Sequence, residues 1–113
     1  FRNAGQTCVC ANRILVQASV YDEFADKFAT AIAGLKLGAG TSDDVDVGPL
    51  ITEAAADGVV ELIDDAVSAG AELVRGGSKS GVGGHFVEPT LLTHATSNMR
   101  VFREEIFGPV API

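Results

Sequence analysis

Two cysteines stand one residue apart near the start of the 113-residue chain, in Gly5-Gln6-Thr7-Cys8-Val9-Cys10. A cysteine attacks carbon as the thiolate, and an ordinary thiol has a pKa of about 8.5. Activation needs positive potential or backbone N–H groups aimed at the sulfur. The small residues Ala4 and Gly5 let the chain turn before Cys8 and let a substrate come close. Cys8 is therefore a candidate nucleophile. Taken as a tetrapeptide alone, Gly5-Gln6-Thr7-Cys8 favours the blander role of a small packed residue. A Cys-x-Cys pair also invites a metal. That role is rejected, because His85 and His94 are distant in sequence and there is no second cysteine pair. The two histidines are expected on the surface or in packing. The five glycines of Gly76–Gly84 lack the spacing of a phosphate loop.

The elements around these residues follow from periodicity. Phe1–Ala11 reads as a loop with one helical turn, in which Asn3, Gln6 and Arg13 have structural roles around the cysteines. Arg13–Gln17 has the β-branched, apolar character of a buried strand. Ser19 is a candidate cap for a helix to about Leu37, with Val20, Phe24, Phe28, Ile32 and Leu35 as its apolar stripe. Asp22, Glu23, Asp26 and Lys27 face away, and Gly38-Ala39-Gly40 ends it. Thr52 or Glu53 starts a second helix with Val59, Ile63, Ala66 and Val67 inside and Gly70 as its stop. Ala71–Val74, Phe86–Thr93 and Phe107–Ile113 read as extended, with Pro89 marking an edge or a strand start. Strand and helix alternate, which predicts an α/β fold: a layered, parallel-type sheet with flanking helices.

Composition narrows the class. With 47% hydrophobic and 20% charged residues, the chain belongs with folded proteins and not with disordered ones. Fifteen acidic against eight basic residues give a net charge of −7, which opposes binding to nucleic acid or an anionic membrane surface. Two cysteines are too few for a secreted disulfide scaffold. No apolar run approaches the roughly 20 residues of a membrane span. There is no initiator Met or signal-peptide pattern, and both ends look cut, so a fragment of a cytoplasmic protein is expected.

The longer string Phe1-Arg2-Asn3-Ala4-Gly5-Gln6-Thr7-Cys8-Val9-Cys10-Ala11-Asn12-Arg13 resembles the cysteine signature of the aldehyde dehydrogenase superfamily. Glu104-Glu105-Ile106-Phe107-Gly108-Pro109-Val110 resembles a second signature of that family. Val47-Gly48-Pro49-Leu50 and Gly84-His85-Phe86-Val87-Glu88-Pro89-Thr90 are weaker markers in the family's order. The resemblance implies that Cys8 attacks an aldehyde, that hydride passes to NAD or NADP, and that water releases the acid from a thioester. The backbone N–H of Cys8 would help hold the oxyanion. Glu105 would accept hydrogen bonds from the nicotinamide ribose, since a carboxylate suits two adjacent hydroxyls. Phe107 would pack near the nicotinamide ring. Glu104 is left as a surface or structural group. The partner asparagine, the general-base glutamate and the cofactor-binding domain lie upstream in family members, outside residues 1–113. The chain is thus expected to be part of the catalytic domain, inactive alone, of a homodimer or homotetramer.

Within the family, Phe-Arg-Asn-Ala-Gly-Gln-Thr-Cys-Val-Cys is similar to the succinate-semialdehyde dehydrogenases. There the arginine at the position of Arg2 grips the distal carboxylate, a task suited to a planar fork. Dehydrogenases of other semialdehydes, such as glutaric semialdehyde, share parts of this run. Some relatives with Cys-Val-Cys form a reversible disulfide, which makes Cys10 a possible redox partner of Cys8. That requires Cα atoms within about 7 Å, which a loop permits and a regular helix does not. The rival from another class is a non-catalytic module that kept the fold, for which Cys8 and Glu105 would have no use.

Overall fold

A computed structural model describes all of Phe1–Ile113. Three strands form one sheet in the order β1-β2-β3: β1 is Glu72–Arg75, β2 is Thr90–Thr93 and β3 is Val110–Pro112. Helix α1 spans Tyr21–Ala33, α2 spans Glu53–Ser68, and the single turn α3 spans Arg100–Arg103. Strand β2 is central and fully buried. Its side chains alternate between faces. Leu92 joins Val59, Ile63, Ala66 and Val110 in the cluster under α2. Leu91 joins Ala111, Ile113 and Ile32 in a smaller cluster under α1. A helix on each face of a sheet is the expected α/β layering.

The sheet is mixed. β2 and β3 run parallel, with Thr90 opposite Val110, because α3 and its flanking loops carry the chain back across the face. β1 and β2 are antiparallel, because the glycine-rich segment between them supplies no crossover helix. In that segment Gly76 lies against the backbone of Pro89 and Thr90, where an added Cβ would come within 2.5 Å of the Pro89 carbonyl oxygen. Pro89 stands just before β2, consistent with a strand start.

Helix α2 follows its sequence signals closely. The Thr52 hydroxyl accepts a hydrogen bond from the Ala55 N–H at 3.1 Å and caps the first turn. At the other end Gly70 adopts φ +106°, Gly70 N–H donates to Val67 O and Ala71 N–H donates to Ala66 O. That pair of bonds is the Schellman ending, in which a left-handed residue satisfies the last carbonyls. The buried face is Ala56, Val59, Leu62, Ile63 and Ala66. Val67, expected inside, is 41% exposed, because it lies at the edge of that stripe in the last turn.

Helix α1 departs more. Its stripe of Phe24, Phe28 and Ile32 faces the sheet, and Asp22, Glu23, Asp26 and Lys27 are exposed. Ser19 does not cap it: Ala18–Val20 form a separate 3-10 turn and α1 begins at Tyr21 without a side-chain cap. Val20 is exposed. The helix stops at Ala33 with Gly34 as cap, ahead of Gly38. Beyond it Leu37 bridges to Val47, and the Asp46 carboxylate accepts from Lys36 N–H at 2.9 Å. Those loop pairings replace the last helical turn. Arg13–Gln17 is extended but is not a buried strand. Its Ile14 N–H donates to Pro112 O beside β3, Ile14 and Val16 pack under α1, and Leu15 points out at 88% exposure. Period-two alternation buries only every second residue when one face has a partner. No helix is long and apolar enough to cross a membrane.

Replacing Ile63, fully buried, by Ala in the full-length protein should cost about 3 kcal/mol. Val67→Ala should cost well under about 1 kcal/mol. Urea denaturation measures both, and equal losses would mean that α2 is rotated from this placement.

Candidate active site

The cysteine segment is held by an unusual backbone. Asn3, Ala4 and Gly5 all have positive φ, at 51°, 53° and 78°. Non-glycine residues rarely sit there, and such strain persists only when the surroundings enforce it. Ala4 is buried, and Gly5 lies directly on the carbonyl of Gly108. A Cβ on Gly5 would overlap that oxygen outright. Gly108 in turn lies on Val59 of α2, whose Cγ2 stands 2.5 Å from where a Cβ would be. The two glycines bring the cysteine segment and the Glu104–Val110 segment into backbone contact, against the second helix.

After Gly5, Gln6 reaches across to the chain before α2. Its Oε1 accepts from Ile51 N–H at 2.8 Å, and its Nε2 donates to Pro49 O at 3.2 Å and to Asn3 O at 3.3 Å. The Asn3 amide donates to Gln6 O at 3.2 Å. Asn3 and Gln6 thus have the structural roles expected, and the Val47–Leu50 marker receives the clamp. Arg13 is exposed. Thr7–Cys10 is a tight turn closed by Cys10 N–H to Thr7 O at 3.0 Å. It carries Cys8 outward, exposed. Cys10 is half-buried. Its Sγ is 2.7 Å from the Thr7 hydroxyl and donates to Arg2 O at 3.4 Å. Both cysteines are free, and they share a turn instead of a regular helix.

The second segment separates its two glutamates. Arg100 of α3 grips the Glu104 carboxylate with Nε at 2.7 Å and Nη2 at 3.1 Å, and reaches Glu61 of α2 with Nη1 at 2.8 Å. The guanidinium holds the Glu104 carboxyl below its usual range, and its two carboxylates raise the Arg100 pKa. The sign follows: this pairing is complete above the ordinary carboxylate value and is lost as pH falls through the lowered one. All three groups are well exposed, so the pair contributes order more than stability. Glu104 is structural, as expected, and Glu105 is exposed without an ion pair. Arg100 was not singled out in the sequence, although its i,i+4 spacing to Glu104 is a helix-pair signal. Phe107 has φ 50° and is 42% exposed.

Two cavities flank this core. One, of about 550 Å³, is lined by Arg2, Cys10 and Asn12 with Phe28, Ile32 and Gly108. The other, of about 520 Å³, is lined by Asn3, Gln6, Pro49, Ile51, His85 and Phe107. Cys8 and Glu105 line neither. The fold therefore brings the two signatures together as backbones, with Arg2 beside one cavity and Phe107 beside the other. The His94 ring lies tilted 5.5 Å from the Tyr21 ring, and the His94 backbone N–H donates to the Tyr21 hydroxyl at 2.7 Å. It is a surface residue, with its side chain largely exposed.

The chain belongs to the aldehyde dehydrogenase family, whose model matches residues 1–113. It is 54% identical over its whole length to a 3-sulfolactaldehyde dehydrogenase of Pseudomonas putida and 50% identical to the mitochondrial succinate-semialdehyde dehydrogenase of rice, Oryza sativa. It spans 23% and 21% of their lengths. A crystal structure of an Escherichia coli NADP-dependent enzyme superimposes with a TM-score of 0.96 at 51% identity, over 99% of this chain and 23% of that one.

Gly5→Ala in the full-length protein should cost about 3 kcal/mol, from overpacking against Gly108 and a strained φ. A urea midpoint unchanged within error would show that the two segments are not in contact.

Proposed function

We propose that the full-length protein oxidises an aldehyde carrying a distal anion, with succinic semialdehyde to succinate as the leading case. Arg2 carries this reading. It lines a cavity, it is exposed, and it makes no ion pair within the chain. An unpaired guanidinium beside a nucleophile turn suits a substrate carboxylate, which it can hold bidentately. Succinic semialdehyde carries such a group. A sulfonate is the second reading, favoured by the 54% identity to the sulfolactaldehyde enzyme. Glutaric semialdehyde differs from the leading case by one methylene.

Cys8 is the proposed nucleophile, presented on the exposed apex of the Thr7–Cys10 turn. Its sulfur adds to the carbonyl carbon to give a thiohemiacetal, with its backbone N–H directed to the developing oxyanion. Bound NAD or NADP would supply the acceptor for the hydride that this carbon gives up. The resulting thioester is hydrolysed by water, which returns the Cys8 thiol and releases the acid. Glu105, a solvent-facing carboxylate free of ion pairs, would accept hydrogen bonds from the nicotinamide ribose, and Phe107, which lines the second cavity, would pack near the nicotinamide ring. The family resemblance supports a homodimer or homotetramer acting on a small molecule.

Steady-state kinetics of the full-length protein test this reading. Succinic semialdehyde should exceed propionaldehyde in kcat/KM by at least about a hundredfold, some 2.7 kcal/mol of discrimination. Arg2→Ala should raise KM for the semialdehyde about a hundredfold and change propionaldehyde little. Equal losses for both aldehydes would remove the anion-binding role. Cys8→Ser should abolish turnover of both, and residual activity near wild type would remove the nucleophile.

A further inference from the structure

The residue with the most long-range bonding near Cys8 is Gln6, two positions before it. We propose that Gln6 is a positioning residue for the nucleophile, which fixes the reach of Cys8 by bolting its turn to the Pro49–Ile51 segment. The inference deepens the proposed function and rests on Cys8 as nucleophile. Upstream of Gln6, Gly5 packs against the Gly108 carbonyl, with no room for a Cβ between them. Downstream, the Thr7–Cys10 turn is short and closed. That leaves rotation of the turn about the Gly5–Gln6 link. The Gln6 amide removes it with three bonds to two segments: Ile51 N–H to Oε1, and Nε2 to Pro49 O and Asn3 O.

The chemistry of the partners requires an amide here. One partner donates and two accept, so the side chain must present both an acceptor and an N–H. Ile51 and Pro49 lie immediately before Thr52, the cap of α2. Val59 of the same helix supports Gly108. Gln6 thereby ties Cys8 to the helix that also supports the Glu105 segment, so the two signatures move as one body. A misplacement of about 1 Å at a reacting atom costs on the order of a hundredfold in rate, whereas none of the Gln6 bonds goes to the Arg2 guanidinium.

The test uses Gln6→Met and Gln6→Glu in the full-length protein. Methionine keeps the length and loses every hydrogen bond. For Gln6→Met, kcat per folded protein, with the folded fraction read by circular dichroism, should fall at least about tenfold, with the aldehyde KM within about threefold. Glutamate keeps the acceptor for Ile51 but turns its second oxygen toward two carbonyls. Its kcat, relative to wild type, should recover as pH falls and the carboxyl gains a proton it can donate. A purely structural role would lower the folded fraction and leave kcat per folded protein unchanged, which overturns the proposal. So does a Gln6→Glu to wild-type ratio that is flat with pH. If Gln6→Met does not fold, Gln6→Glu decides alone through that ratio. Iodoacetamide alkylation of Cys8 reads placement without turnover. Gln6→Glu should change its rate at least about threefold, and an unchanged rate counts against the clamp. Absence of NAD(P)H formation by wild type would instead refute the oxidation reading.

Discussion

The contact between Gly5 and Gly108 organises the rest of the molecule. Two backbones approach so closely that neither position has room for a Cβ, and Val59 of α2 closes the stack from behind. Close packing of this kind tolerates no added methyl group. The strained φ values of Asn3, Ala4 and Phe107 fall on either side of the contact. Strain at such positions is maintained by the structure around them. Here that structure is the α2 face, whose Ala56, Val59, Ile63 and Ala66 are buried against β2 and β3.

Around this contact the polar interactions divide by what they join. The Gln6 bonds join segments more than 40 residues apart, and the one to Pro49 O is part-buried. The Arg100 bonds to Glu61 and Glu104 are exposed, and surface pairs of that kind stabilise little. Their value is geometric: Glu104 is occupied, and its neighbour Glu105 is left without an ion pair. The division gives adjacent, chemically identical carboxylates different surroundings. Likewise Cys10 spends its thiol on Thr7 and the Arg2 carbonyl, whereas Cys8 faces solvent.

The segments that matched well in the sequence carry their own local signals. Thr52 and Gly70 mark the ends of α2 because capping and left-handed termination are decided within a few residues. The α/β layering followed from alternating periods. The misplacements concern segments whose boundaries depend on distant partners. Ser19 has a capping side chain, yet the chain runs through a 3-10 turn before Tyr21. Arg13–Gln17 has a strand's composition but one neighbour only, so Leu15 is left in solvent. The single turn α3 is too short to leave a periodic trace.

The sequence by itself determined the two signatures, their order, and the residue types able to attack a carbonyl or grip a carboxylate. Those are properties of side-chain chemistry and local spacing, which need no partner. Only the tertiary structure decided that the signatures meet through Gly5 and Gly108, that Gln6 reaches Pro49 and Ile51, and that Arg100 takes Glu104 and leaves Glu105. It also decided that the sheet is mixed. Each of these joins residues distant along the chain or depends on which of two similar neighbours meets a partner. One-dimensional patterns carry no record of which remote backbone fills the space beside a glycine.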